Sequence, residues 1–103
     1  MSRSAADIRL SEIYQALEKI STIVVCTDAS EWQFVAIGSK ACGGPTGYLP
    51  YHKSIIVKDF LEQVANYSAL QNAYNKKWGV ISDCSIVPMP KGVECVAGKA
   101  KLL

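Results

Sequence analysis

The chain has 103 residues, half of them apolar, and eleven Lys and Arg against nine Asp and Glu, for a formal charge of +2. That length suits one domain near the lower end of the usual range. The charges are scattered, with Lys76-Lys77 the only adjacent basic pair, so a nucleic-acid surface with its concentrated basic stripe is not expected. No apolar run approaches the roughly 20 residues a membrane-spanning helix needs, so no integral membrane segment is expected either.

The first residues, Met1 to Asp7, contain neither the hydrophobic core of a signal peptide nor a cysteine for lipid attachment. Two readings follow: a cytosolic protein, or a mature domain behind a new methionine, with residues 1–4 flexible or added for expression. From residue 5 to about 20, Ile8, Ile13, Leu17 and Ile20 recur near helical spacing, flanked by Leu10 and Tyr14, which predicts a first helix. Ser4 is the expected N-cap, with Asp7 in the first turn. The β-branched run Thr22 to Cys26 then suits a short buried strand.

Asp28 and Glu31 have the spacing of a helix-capping pair, so either one turn of helix or a plain turn is expected. From Trp32 the pattern alternates, with Trp32, Phe34 and Ala36 on one side and Gln33, Val35 and Ile37 on the other. This is a strand of a small antiparallel sheet, expected to turn Trp32 and Phe34 inward. Residues 37–52 follow, carrying Gly38, Gly43, Gly44, Gly47, Pro45, Pro50, Cys42 and the only histidine, His52. Glycine and φ-locked proline at that density predict an ordered loop and neither a helix nor a regular strand.

Ser54 to Trp78 is the strongest helical signal. Val57, Phe60, Leu61, Val64, Tyr67, Leu70, Tyr74 and Trp78 form an apolar stripe, which is read as core, and polar residues fill the remaining positions. Such a helix would be on the order of 35 Å long and would scaffold the domain. Lys76 and Lys77 suit its negative end, and Gly79 its termination. Val80 to Cys84 is a further candidate strand, and Pro88-Met89-Pro90 breaks the chain. Val93–Val96 and Lys99–Leu102 flank Ala97-Gly98, a β-hairpin signal. The predicted class is therefore α+β: an N-terminal helix, a small antiparallel sheet, a long central amphipathic helix and a C-terminal hairpin.

Four cysteines, Cys26, Cys42, Cys84 and Cys95, leave 15, 41 and 10 residues between neighbours. Wide, even-numbered spacing in a small chain reads as two disulfides formed in an oxidising compartment. Zinc would want close pairs. Three pairings are open. Cys42–Cys84 with Cys26–Cys95 is preferred, because it ties the loop to the segment after the long helix and the early chain to the hairpin. The whole chain, 1–103, is then one disulfide-stabilised domain.

Candidate chemistry is sparse. His52 and Cys42 cannot act as a nucleophile and base if Cys42 is bridged. Ser39 and Ser54 have no partner visible in the sequence. Asp28 and Glu31 beside Trp32 could form the carboxylate pair of a glycan hydrolase, although local spacing favours capping. Gly43-Gly44-Pro45 lacks phosphate-loop spacing. No metal or cofactor is called for. What remains is a recognition loop: Gly43, Gly44, Pro45, Tyr48, Tyr51 and His52 on a stiff scaffold, with tyrosines supplying contact area at low entropic cost.

Cys26 with Trp32 six residues further on, the run Ala36 to Pro45 with its Lys-Ala-Cys-Gly-Gly-Pro block, Tyr48 and Tyr51 together resemble a family of small exported bacterial proteins. Its members are often envelope proteins or lipoproteins, with a long helix and two further cysteines after the block. The resemblance covers roughly residues 26 to 95 and implies a periplasmic or secreted address and disulfides, without an activity. A fainter similarity to Kazal-type protease inhibitors stops at Tyr48, which falls one position early with no cysteine shortly after it.

The expected function is a non-catalytic secreted or periplasmic binding domain. It would engage a protein partner of the envelope or extracellular space, and inhibit it if that partner is an enzyme, through residues 43–52. A small carboxylate-dependent envelope hydrolase and a structural dimerisation module are the alternatives.

Overall fold

The computed structural model describes residues 2–103. Helix α1 (Arg3–Thr22) is capped by Ser2, whose Oγ accepts the Ala5 N–H at 3.2 Å. The cap therefore lies two residues ahead of Ser4, and Arg3 and Ser4 belong to the helix; Met1 lies outside the described residues. Leu17 and Ser21 are buried on the inner face, with Leu10, Ile13, Tyr14 and Ile20 packed around them.

The helix runs through Thr22, whose Oγ1 donates to the Glu18 carbonyl at 3.0 Å, so the expected strand from Thr22 to Cys26 does not form. A β-branched run becomes a strand only when another strand pairs with it. Here Ile23 and Val25 face solvent, and the chain is tied instead through the Cys26 N–H to the Gly98 carbonyl at 2.9 Å. Next comes one 3₁₀ turn, Ala29–Glu31, capped by Asp28 as its spacing predicted.

Strands β1 (Trp32–Ile37) and β2 (Gly47–His52) pair antiparallel, with Trp32 opposite His52 and Ile37 opposite Gly47. The second half of the glycine-proline stretch is thus a regular strand, contrary to its composition. Pro50 is tolerated because it points away from β1: its carbonyl accepts the buried Ser21 hydroxyl at 2.6 Å, so its missing N–H breaks no ladder bond. The inward face of the sheet is also the reverse of that expected. Val35, Ile37, Leu49 and Tyr51 turn toward the helices, and Phe34 and Tyr48 meet edge-on across the other face. Trp32 is buried, at 6% exposure, but on that second face, T-shaped against His52.

Helix α2 (Val57–Lys77) is the expected scaffold, 21 residues and about 31 Å long. It starts three residues later than predicted because His52 holds the chain in a turn, accepting the Ser54 and Ile55 N–H groups on its ring Nδ1 and its carbonyl. Its end follows the prediction at Gly79, with the Val80 N–H returned to the Asn75 carbonyl. Phe60, Val64 and Tyr67 join Leu17, Ile37, Leu49 and Tyr51 in one core, where Tyr51 packs on Phe60 and Tyr14 on Tyr67.

Residues 80–92 adopt no helix or strand, so the expected strand from Val80 to Cys84 is absent. The hairpin is present as predicted: β3 (Val93–Val96) and β4 (Lys99–Leu102), with Ala97 at φ 51° and Gly98 at φ 79°. Two successive positive φ values make a type I′ turn, where glycine carries no steric cost. This second sheet stays separate from β1–β2 and packs against it and the 3₁₀ turn. Both preferred disulfides are formed, Cys26–Cys95 and Cys42–Cys84, with Cα separations of 5.2 and 5.5 Å. The fold is a small α+β domain, as the sequence predicted.

Candidate functional site

The β1–β2 connection, residues 38–46, is built from its backbone outward. Gly38 sits at φ +88°, and a Cβ there would collide with Thr46 Oγ1 and crowd Gln71. Only glycine lets the chain turn so close to α2. Three side chains of α2 then read the loop's backbone. Ser68 Oγ accepts the Gly38 N–H at 2.9 Å, Gln71 Oε1 accepts the Ser39 N–H at 2.7 Å, and Asn75 Nδ2 donates to the Ser39 carbonyl at 2.8 Å. These residues recur at intervals of three and four, the spacing of one helical face. That spacing was present in the sequence, but polar residues beside an apolar stripe read as solvated.

Beyond Ser39 the loop closes on itself: the Lys40 N–H donates to the Gly44 carbonyl and the Gly43 N–H to the Lys40 carbonyl, both at 2.9 Å. Its exposed tip is fixed to residues 82–85 by three links. One is the Cys42–Cys84 disulfide, and the second runs from the Cys42 N–H to Ser82 Oγ at 3.3 Å. The third is Lys40, whose largely buried Nζ donates to Asp83 Oδ1 at 3.0 Å and to the Ser85 carbonyl at 2.8 Å. Hydrogen bonds from Ser85, and then the Lys40 ammonium, hold the Asp83 carboxyl down at about 2. Gly43-Gly44-Pro45 and residues 84–87 line a shallow cleft of about 220 Å³.

The anchored segment carries the two most exposed of the large apolar side chains, Ile81 and Ile86, together with Met89. Ile81 is 93% exposed, Ile86 89% and Met89 69%. Residues 81–90 make no backbone–backbone hydrogen bond among the described residues. This surface could not be found by periodicity, since it is neither helix nor strand. The signal available was Ile81 and Ile86 flanking Cys84 outside any helical pattern, and the Pro88-Met89-Pro90 break.

The six residues expected to form the recognition loop are not all on one surface. Gly43, Gly44 and Pro45 are at the exposed tip or beside it. Tyr48 is half-buried, its ring meeting Phe34 edge-on. Tyr51, expected at the surface of the loop, is turned inward instead: at 7% exposure it belongs to the core, and its hydroxyl donates to Gln33 Oε1 at 2.8 Å. His52 stands at the far end of β2, where Nδ1 bonds Ser54 Oγ at 2.7 Å and Nε2 lies 3.6 Å from Glu31 Oε1.

Asp28 and Glu31 lie in a solvent-facing turn rather than a cleft. Hydrogen bonds from the Ser30 hydroxyl and N–H depress the Asp28 carboxyl, and the Lys53 ammonium depresses that of Glu31, with His52 adding to it. Lowered carboxyl groups stay ionised and are poor proton donors near neutrality, the opposite of what a glycosidase acid needs. Cys42 is bonded to Cys84 and has no thiolate to attack with. All four cysteines are bridged, which suits an oxidising extracellular or periplasmic setting. Among the described residues no helix is long and apolar enough to cross a membrane. Comparisons of the chain with protein-family models, with curated proteins and with solved structures find no match.

Proposed function

We propose that the chain is a non-catalytic periplasmic or secreted domain that binds a protein partner through the Gly43-Gly44-Pro45 tip and the segment 81–89 beside it. The observation that carries this is the pairing of Ile81, Ile86 and Met89, all solvent-facing, with a backbone pinned at Cys84 and by Lys40. Three large apolar side chains exposed within nine residues of one segment favour a covering surface. An irregular segment of 13 residues, 80–92, is long for a connection without function. Because disulfide and lysine already restrict it, docking would cost little further ordering.

An enzyme of the envelope or extracellular space is the partner class we favour, with inhibition as the outcome. A segment that makes no backbone–backbone hydrogen bond among the described residues, its backbone held only at Ser85 by the Lys40 and Asp83 side chains, can lie in an enzyme's cleft and pair with it there. The resemblance of the Lys40–Pro45 block to exported bacterial proteins supports the same address. The test compares immobilised wild-type protein with an Ile81→Asp/Ile86→Asp variant, both incubated with an envelope extract. Expected is one enzyme retained by the wild type, released by the variant, and slowed in its own assay by the free wild-type protein. Equal retention by both proteins, or none by either, overturns the reading; the variant's circular dichroism must match wild type.

A further inference from the structure

A second feature lies between the helices, away from the loop. The first turns of α1 and the last turns of α2 leave a cleft of about 180 Å³, walled by Leu10, Leu70 and the rings of Tyr74 and Trp78. Two cations stand at its rim, Arg9 from α1 and Lys77 from α2. Neither is in an ion pair among the described residues, whose salt bridges use Lys40, His52 and Lys53. Lys77 Nζ lies 5.1 Å from the centre of the Trp78 ring. A third cation, Arg3, is already committed: its Nε donates to the Tyr74 hydroxyl at 3.0 Å and fixes that ring in the wall.

Charge along α2 sharpens the picture. Its acids, Asp59 and Glu62, fall in the first two turns, and after them only Lys76 and Lys77 are charged. On α1, Asp7 and Glu12 are nearby in sequence, but neither lines the cleft. The site therefore offers a mainly apolar floor, whose Tyr74 hydroxyl already accepts from Arg3, and a positive rim. An uncharged apolar ligand would leave the rim unmatched, and a compact polyanion would leave the apolar floor uncovered.

We infer that this cleft binds a single-chain carboxylate with an apolar tail, the fatty-acid class, with the tail on Leu10, Leu70 and Trp78 and the carboxylate between Arg9 and Lys77. The cleft is smaller than the roughly 300–1,000 Å³ of sites that enclose a drug-sized ligand, so it takes the part of the chain next to the head. The observations are independent of the loop surface, and so is the test.

Sodium decanoate, kept below its micelle concentration, is titrated into isotopically labelled protein while backbone and indole N–H resonances are followed. Decanol and decyltrimethylammonium serve as neutral and cationic controls. Saturable shifts at residues 6–10 and 70–78, including the Trp78 indole but not that of Trp32, are expected for decanoate only. Replacing both exposed cations, Arg9→Gln with Lys77→Gln, should weaken binding by roughly five- to ten-fold without changing circular dichroism. Ala73→Phe, a solvent-facing position on the cleft's edge, should fill it and remove the response. Equal binding of decanol, shifts spread elsewhere, indifference to the double substitution, absence of saturation, or a cleft already occupied by a second copy in sedimentation runs would each overturn the assignment.

Discussion

Tyr51 is a residue whose chemical type suggested one role and whose position gives it another. In a loop, Tyr48 and Tyr51 could both present their rings to a partner. Once Gly47–His52 is a strand, residues three apart must lie on opposite faces of the sheet. Leu49 shares Tyr51's face and fixes it inward, onto Phe60, and Tyr48 is left on the other face with Phe34. The parity was written in the sequence but could be used only after the strand was known, and Pro50 argued against the strand. Tyr51→Ala should therefore destabilise the domain by about 3–5 kcal/mol, the cost of emptying a large aromatic site. Tyr51→Phe, which removes only the bond to Gln33, should cost about 1 kcal/mol. Urea denaturation followed by far-ultraviolet circular dichroism measures both; an unaltered midpoint for Tyr51→Ala would put the ring back on the surface as a contact.

The elements differ in how far their own residues specify them. Helix α2 repeats its apolar stripe over five turns, and a helix of that length needs no distant partner to be recognised. The hairpin was equally legible, because Ala97-Gly98 supplies the positive φ values its turn requires. Strands proposed for 22–26 and 80–84 had suitable composition and failed for want of a pairing strand, which composition does not encode. The segment after α2 takes its order from Lys40 and Cys84 instead, contacts more than 40 residues apart in sequence. That dependence has a pH signature. Ser85 hydrogen bonds and Lys40 lower the Asp83 carboxyl from 3.8 to about 2 in the folded protein. A depressed carboxyl favours the folded arrangement above its unfolded value and loses that contribution as pH falls toward its folded value. The hold on residues 82–85 should thus weaken between about pH 4 and pH 2. Carboxyl carbon shifts of Asp83 should titrate near 2, with the Ser85 amide moving in step, and Asp83→Asn should give the acid-form Ser85 amide position already at neutral pH. A midpoint near 4 with a stationary Ser85 amide would remove Lys40 and Asp83 from the anchoring scheme.

The molecule as a whole, 42 Å in its longest dimension, is one packed core with two appendages, and each appendage has its own disulfide. Cys26–Cys95 ties the hairpin over the face that holds Trp32, and Cys42–Cys84 ties the irregular segment to the loop tip. Their sequence separations of 69 and 42 are similar on a logarithmic scale, so loop-closure entropy assigns both about 4 kcal/mol. Exposure separates them. Cys26 is 3% exposed, whereas Cys42 and Cys84 both face solvent. Attack by a thiolate needs access to a sulfur atom, so the two bonds should differ in rate where they do not differ in entropy. Under graded dithiothreitol at neutral pH, alkylation and peptide mapping should find Cys42 and Cys84 modified first, while Cys26 and Cys95 stay bonded until the domain unfolds. The two double variants should separate in the same way. Cys42→Ala with Cys84→Ala should keep both helices and a buried Trp32 while the heteronuclear NOE of the amides at residues 81–87 falls to the values of a mobile chain. Cys26→Ala with Cys95→Ala should release the hairpin and shift Trp32 emission to the red. Early alkylation of Cys26, or loss of the helices on opening Cys42–Cys84, would mean that the irregular segment is part of the cooperative core and not an anchored display on its surface.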